Sequence, residues 1–386
     1  MSKIELIATA TFGLEAVVKR EIEKLGYKIT QSENSKITYM TDERGIARSN
    51  LWLRSADRVL LKMGEFPAET SEDLFQQTKA LPWEEWIPED GKFTVQCTTV
   101  KSKLRSEPAN QKTVKKAIVE RMQECYLRDR FPETGAEYTV KVTLLKDRAT
   151  LTIDTSGSGL HTRGYRKHPV TAPIKETLAA ALVQLSFWRS GRLLIDPFCG
   201  SGTIPIEAAM IERNIAPGLG RTFASERWDR IDGSIWKEER TKAYSDIDYD
   251  KPVSIIGCDI DGGAVEAARA NAEDAGVDDC IVFKRADFLN LEKMPEPYSV
   301  IITNPPYGER IGGRRMLENI NGHFARLINS DETLSCYVIT EDKGLEKAVM
   351  PRKPDRRRKL YNGRLETCYY QYYGKRPPRK ESSGSE

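Results

Sequence analysis

Apolar residues recur with two different periods along the chain, and the places where the period changes divide it into segments. Residues 4–8 form an apolar run, after which Leu14, Val18, Ile22 and Leu25 recur at helical spacing until Gly26. A second helical stretch holds Leu51, Trp52 and Leu53, and residues 59–63 return to a strand. Residues 1–65 therefore read strand, helix, strand, helix, strand, a small α+β layer. Between 66 and 160 the pattern predicts two helices and several strands. Residues 71–86 begin as a helix, 93–100 alternate as a strand, and Val114, Ile118, Met122 and Cys125 mark one face of a long helix. Residues 138–145 and 149–155 alternate on either side of Lys146, Asp147 and Arg148, the pattern of a β-hairpin. The loop Ser156-Gly157-Ser158-Gly159 and a basic segment with His161, Arg163, Arg166, Lys167 and His168 follow, and the junction between domains is expected there.

From about residue 170 strands and helices alternate, the signature of an open, mostly parallel α/β sheet. Strands are expected at 193–197, 254–260, 281–286, 299–303 and 334–340, with an irregular insertion at 215–250 between the first two. Residues 360–365 and 367–373 alternate as an antiparallel terminal pair, and the polar tail 379–386 is expected to be disordered. The expected domains are thus 1–65, 66–160 and 161–378, followed by the tail.

Composition narrows the classes. A net charge of +3 over 386 residues creates no global field for nucleic acid, so any such binding must come from local basic patches. Seven cysteines without a C-x-x-C pair and only three histidines exclude the usual zinc spacings, so no metal and reduced thiols are expected. No apolar stretch approaches the ~20 residues that span a bilayer. The first residues enter a strand-like run without the long apolar centre of a signal peptide, and a cytoplasmic location is expected.

Four strand ends carry the candidate chemistry. The first runs Asp196-Pro197-Phe198-Cys199-Gly200-Ser201-Gly202-Thr203 into an amphipathic helix. Gly200 and Gly202 let the backbone approach a ligand at the carboxyl end of a strand, where open α/β sheets bind cofactors. The segment has neither the lysine of a P-loop nor the third glycine of a dinucleotide fingerprint. The second strand ends Asp259-Ile260-Asp261: Asp259 can accept both ribose hydroxyls, Ile260 can pack on an adenine, and Asp261 can cap the helix that follows. The third ends Asp287-Phe288, where the aspartate either accepts an adenine amino group or merely occupies a surface turn. The fourth ends Asn304-Pro305-Pro306-Tyr307. An exocyclic amine on a base is a poor nucleophile, because its lone pair is delocalised into the ring, so a catalyst must hold its hydrogens with acceptors and fix the ring face. The Asn304 carboxamide and the Pro305 carbonyl are such acceptors, the prolines stiffen the turn, and Tyr307 can stack on the ring.

In this order the motifs resemble class I S-adenosylmethionine-dependent methyltransferases of the amino-methylating Asn-Pro-Pro-Tyr type, over residues 171–373. The resemblance implies a Rossmann-like sheet with S-adenosylmethionine as cofactor. It implies that Asp196 holds the methionine amino group, that Phe198, Gly200, Ser201, Gly202 and Thr203 face the cofactor, and that Asp259, Ile260, Asp287 and Phe288 hold ribose and adenine. By the same resemblance Thr171 belongs to a segment that closes over the methionine end, Asn304 also borders the cofactor, and Asn304, Pro305, Pro306 and Tyr307 address the target base. Residues 1–160 resemble a ferredoxin-like domain followed by a THUMP domain, a module of RNA-modifying enzymes. The segment 214–221, with Trp228 and Trp236 beyond it, resembles the bacterial ribosomal-RNA guanine N2 methyltransferases, which implies guanine N2 in RNA, 23S rRNA, as the acceptor. Adenine N6 in RNA or DNA, and a catalytically silent RNA-binding assembly factor, are the alternatives. Lys101, Lys103 and Arg105, at the entrance to a helix, and Arg163, Arg166 and Lys167, at the domain junction, are the candidate RNA contacts, the junction set having the stronger claim.

Overall fold

The computed structural model describes residues 3–167, 173–306 and 313–378, so Thr171, Tyr307 and the tail from 379 lie outside the described residues. The chain divides into two compact units, one of Met1–Ala10, Val18–Thr162 and Pro217–Ser245, the other of Thr11–Val17, Arg163–Ala216 and Asp246–Glu386.

In chain order the first unit contains β1 (Ile4–Ala10), α1 (Glu15–Lys24, shared at its start with the second unit), β2 (Lys28–Glu33), β3 (Lys36–Thr41), α2 (Glu43–Trp52) and β4 (Ala56–Pro67). It continues with α3 (Ser71–Lys79), β5 (Lys92–Val100), α4 (Glu107–Tyr126), β6 (Glu137–Leu145) and β7 (Arg148–Asp154). All seven strands form one sheet in the order β2-β3-β1-β4-β7-β6-β5. Strand β4 pairs with β1 on one side and β7 on the other, and so runs through the boundary expected at residue 65. The β2–β3 hairpin is not apparent in the sequence, because β2 is an edge strand whose side chains are nearly all exposed and carry no apolar alternation. Helix α4 buries Val114, Ile118 and Met122 completely, whereas Cys125, expected on the same face, is exposed in its last turn.

The second unit contains α5 (Glu176–Leu185), β8 (Leu194–Asp196) and α6 (Thr203–Glu212), after which the chain contributes Pro217–Ser245, including α7 (Gly233–Ser245), to the first unit. It returns with β9 (Ile255–Asp259), α8 (Gly262–Asp274), β10 (Ile281–Arg285), β11 (Val300–Thr303), α9 (Arg314–Ser330), β12 (Ser335–Thr340), α10 (Gly344–Ala348), β13 (Arg356–Asn362) and β14 (Leu365–Tyr372). The sheet order is β10-β9-β8-β11-β12-β14-β13. The first five strands run parallel, and β14 is antiparallel to both of its neighbours. Strand order reverses between β8 and β11, the switch point where a Rossmann-like sheet opens a crevice at its carboxyl edge.

The insertion expected to be irregular is instead part of the first unit's core. Trp228 stacks on Tyr138 with ring centroids 4.9 Å apart, and Trp236 stacks on Phe223 at 5.4 Å. On α7, Glu239 accepts from Arg44 at 3.0 Å and from Arg48 at 2.7 Å. Burial opposes the ionisation of Glu239, but the hydrogen bonds from Arg48 and Arg44 outweigh it and hold its carboxyl below the usual range. Arg356, Arg357, Arg358 and Lys359, which precede the strand expected from residue 360, lie on β13 itself, an edge strand where charge is tolerated. Among the described residues no helix is long and apolar enough to cross a membrane.

Candidate active site at the carboxyl edge of the second sheet

A cavity of about 560 Å³ opens at the carboxyl ends of β8, β9 and β11. Asp196 closes β8 and is 1% exposed. The Thr303 hydroxyl, at the end of β11, donates to its Oδ1 at 2.6 Å, and the Phe198 N–H donates to the same oxygen at 3.1 Å. Burial pushes the Asp196 carboxyl up to about 7; these hydrogen bonds pull it down, and the negative Asp259 adds to the rise. A buried carboxylate in this condition is suited to a ligand cation.

The turn after β8 brings Phe198, Gly200, Ser201 and Thr203 to the cavity wall. Gly200 takes a positive φ of 53°, and its N–H donates to Asp259 Oδ2 at 2.9 Å, which ties the first strand end to the second. The Ser201 hydroxyl is buried and has no hydrogen-bond partner among the described residues. Gly202 takes φ 82° as the N-cap of α6 but does not line the cavity. A Cβ there would meet Phe283 of β10 at 3.0 Å and Ala268 of α8 at 3.1 Å, so this glycine serves close packing inside the unit, contrary to the expectation that it faces a cofactor.

Asp259 ends β9 at the wall, its other oxygen accepting the Asp261 N–H at 3.0 Å. Each carboxylate oxygen keeps a further lone pair for a hydroxyl donor. Asp261 caps α8 by accepting the Gly263 N–H at 2.9 Å. Ile260 is 60% exposed and also lines the cavity, an apolar side chain placed for a ring to cover. Asp287 does not line the cavity, and its carboxylate accepts the Leu289 N–H at 2.9 Å, the turn-capping alternative. Phe288 is buried rather than presented to the cavity, its ring 5.0 Å from Phe198 and 4.5 Å from Phe324, so it backs the cavity wall through Phe198.

Asn304, Pro305 and Pro306 follow β11 and line the same cavity. Asn304 Oδ1 is buried and has no hydrogen-bond partner among the described residues. A buried, unmet acceptor is uncommon in folded proteins and marks a place where a donor from outside can be received. Met316 on α9 and the turn between β13 and β14, residues 362–365, complete the wall, and the sequence reading missed both. The signal for the turn was present: Gly363-Arg364 between two alternating runs is a two-residue hairpin loop.

The basic candidates separate. Arg163 is buried: its Nε lies 3.3 Å from Glu207 Oε1, and Tyr165 donates to the same oxygen at 3.1 Å. Arg166 bonds Glu176 at 2.9 Å and the Ile174 carbonyl at 3.2 Å. Both guanidinium groups are consumed within the second unit, which corrects their expected role as RNA contacts. Lys167 stays at the surface, 2.7 Å from Asp274. In the first unit Lys101, Lys103 and Arg105 are exposed and line a surface depression of about 570 Å³.

Comparison with known proteins gives these observations a context. Residues 163–371 match the family model UPF0020, the RMKL-like methyltransferase domain. Residues 5–60 match the RlmL ferredoxin-like domain and 68–154 the THUMP domain. A Bacillus subtilis (strain 168) protein named "Putative RNA methyltransferase YpsC" is 46% identical over 388 residues, covering all of both chains. A crystal structure from Listeria monocytogenes str. 4b F2365, described as a "predicted N6-adenine-specific DNA methylase", is 46% identical, with 97% of each chain covered and a TM-score of 0.92. The crystal structure of SMU.472, a "putative methyltransferase complexed with SAH", is 42% identical over 98% of this chain and all of that one, with a TM-score of 0.92.

Proposed function

This chain belongs to the UPF0020 family of RMKL-like methyltransferases, and from that premise we propose that it transfers a methyl group from S-adenosylmethionine to the exocyclic N2 of a guanine in RNA, the 23S ribosomal RNA. The observation that carries the reading is the unmet Asn304 Oδ1 on the wall shared with Asp196 and Asp259. The residues present fit the cofactor. Asp196 meets an α-ammonium group, the unpartnered Ser201 hydroxyl donates to a carboxylate, Asp259 accepts from ribose, and Ile260 covers one face of an adenine. When bound, S-adenosylmethionine supplies an electrophilic methyl group on its sulfonium.

The chain's own part is to position and polarise. Asn304 Oδ1 and the Pro305 carbonyl accept the two amine hydrogens, which turns the nitrogen lone pair out of conjugation and stabilises the positive charge that grows on nitrogen. Neither proline donates an N–H, so at these two positions the backbone offers carbonyl acceptors alone. Tyr307 replaces the stacking that the base loses on leaving its helix, worth about 1–3 kcal/mol for a base on an aromatic ring. The THUMP match and the name of the Bacillus relative support RNA as the substrate class. The name of the Listeria relative favours a second reading, adenine N6, because Asn304 would receive either amine.

Mass spectrometry of nucleosides from total RNA and DNA, in cells with and without the gene, tests both readings. The expected result is N2-methylguanosine lost from 23S rRNA alone, and loss of N6-methyladenosine would replace the guanine reading with the second.

A further inference from the structure

We propose that Arg364 selects guanine by donating to its O6 and N7, an assignment that rests on the guanine reading above. The register that pairs Asn362 with Leu365 leaves Gly363 and Arg364 as a two-residue turn. Gly363 has φ 65°, and Arg364 does not share a positive φ, the pattern of a turn with glycine first. The turn is therefore narrow and fixed by the β13–β14 ladder, and it holds Arg364 on the wall of the cavity that Asn304, Pro305 and Pro306 also line. Arg364 is exposed and, among the described residues, has no carboxylate partner, unlike Arg163, Arg166 and Arg357. Lys175, the other cation on the wall, is a point charge and lacks a two-pronged fork.

The chemistry of the bases makes this cation selective. With the N2 amine of guanine held at Asn304, the opposite side of the ring presents O6 and N7, two adjacent acceptors that fit a guanidinium fork. With the N6 amine of adenine held there, the opposite side presents N3 alone beside a C–H. The same turn thus favours guanine by one full bidentate contact. Leu365 and Met316, on the same wall, give the ring an apolar setting that leaves its edge to Arg364.

The test combines a protein and a base substitution. A synthetic RNA segment carries guanosine or 7-deazaguanosine at the mapped target, and single-turnover methylation is measured with wild type, Arg364→Ala and Arg364→Lys. Wild type is expected to slow about tenfold on the 7-deaza substrate. Arg364→Ala slows about tenfold to a hundredfold on guanosine, loses little more on 7-deazaguanosine, and is rescued only in part by lysine, whose ammonium reaches the same acceptors without a planar fork. Losses that multiply, the variant slowing equally on both bases, would assign Arg364 to phosphate and overturn the proposal while leaving N2-methylguanosine as the product. A product of N6-methyladenosine overturns the guanine reading and this assignment together. Arg364 lies in an exposed turn, so unchanged thermal stability of the variants is expected and is checked alongside.

Discussion

Two places in the second unit hold buried charge, and they treat it in opposite ways. At the junction, Arg163 meets Glu207 and Tyr165, and Arg166 meets Glu176 and a carbonyl. At the carboxyl edge of the sheet, Asp196 is buried without a cation, and Asn304 Oδ1 and Ser201 Oγ have no partner among the described residues. In the first arrangement each cation has a carboxylate of the same unit beside it, and in that sense it is complete. The second is incomplete among the described residues, and under the proposed function a ligand completes it. A run of positive charge in a sequence therefore does not mark an RNA contact by itself, since the fold can answer it with buried carboxylates.

The largest effect should come from breaking the complete arrangement. Arg163→Met leaves Glu207 buried with its cation gone, and loss of one partner of a buried pair costs about 3–5 kcal/mol. Urea unfolding should show that loss, and the double variant Arg163→Met with Glu207→Gln should recover part of it. If Arg163→Met kept its stability and lost RNA affinity instead, the junction would be an RNA contact and the contrast would collapse.

Asn304→Ala acts on the incomplete arrangement and should do the reverse. It removes an acceptor that has no partner among the described residues, so stability should hold, while single-turnover methylation falls about 10²–10³-fold, the scale for one preorganised polar group in a transition state. Calorimetry should find cofactor affinity nearly intact. A wild-type rate in this variant would remove Asn304 from the chemistry.

How far these two places could be read from the chain follows from the range of the interactions involved. Strands β8, β9 and β11 and their terminal motifs are local, since each apolar run is followed directly by its motif, and the Asp261 cap was legible for the same reason. The partner of Arg163 lies 44 residues away and is met only through the fold, so a buried pair and an RNA contact look alike in sequence. Trp228 and Trp236 were visible as features of an insertion, yet the stacking of Trp228 on Tyr138 depends on the insertion's return to the first unit, which periodicity does not encode. Arg364 was missed because the sequence reading began its second terminal strand at 367, two residues beyond the start of β14, which hid the turn.

Titration gives a third way to separate the two arrangements. Asp196 holds its proton in the folded apo protein up to about pH 7, whereas the unfolded chain releases it near pH 4. The folded state therefore binds more protons between those values, and stability should fall as pH rises from about 4 to 7. A bound ammonium favours the carboxylate, so cofactor affinity should rise with pH over the upper part of that window, by at most about tenfold per unit, with proton release on binding. Calorimetry in buffers of different ionisation enthalpy reads that release. Asp196→Asn should abolish the pH dependence, weaken binding and leave the apo protein no less stable; a wild-type pH profile in that variant would assign the titration elsewhere.

The smallest effect is expected at the exposed cations of the first unit, and it refines the contrast. Lys101 and Arg105 have no ion-pair partner among the described residues, while Lys103 pairs with Glu69, whose hydrogen bond raises the lysine's pKa. A surface pair of this kind is worth little to stability, so alanine at any of the three should leave unfolding nearly unchanged. Binding to rRNA should respond to charge that the protein has not already answered. Lys101→Ala and Arg105→Ala should each lower the salt dependence of affinity by about one phosphate contact, and Lys103→Ala by less, because its ammonium already faces Glu69 instead of a phosphate. Equal shifts for all three would mean that RNA displaces Glu69 from Lys103, and no shift for any of them would move the RNA surface of the first unit away from this depression.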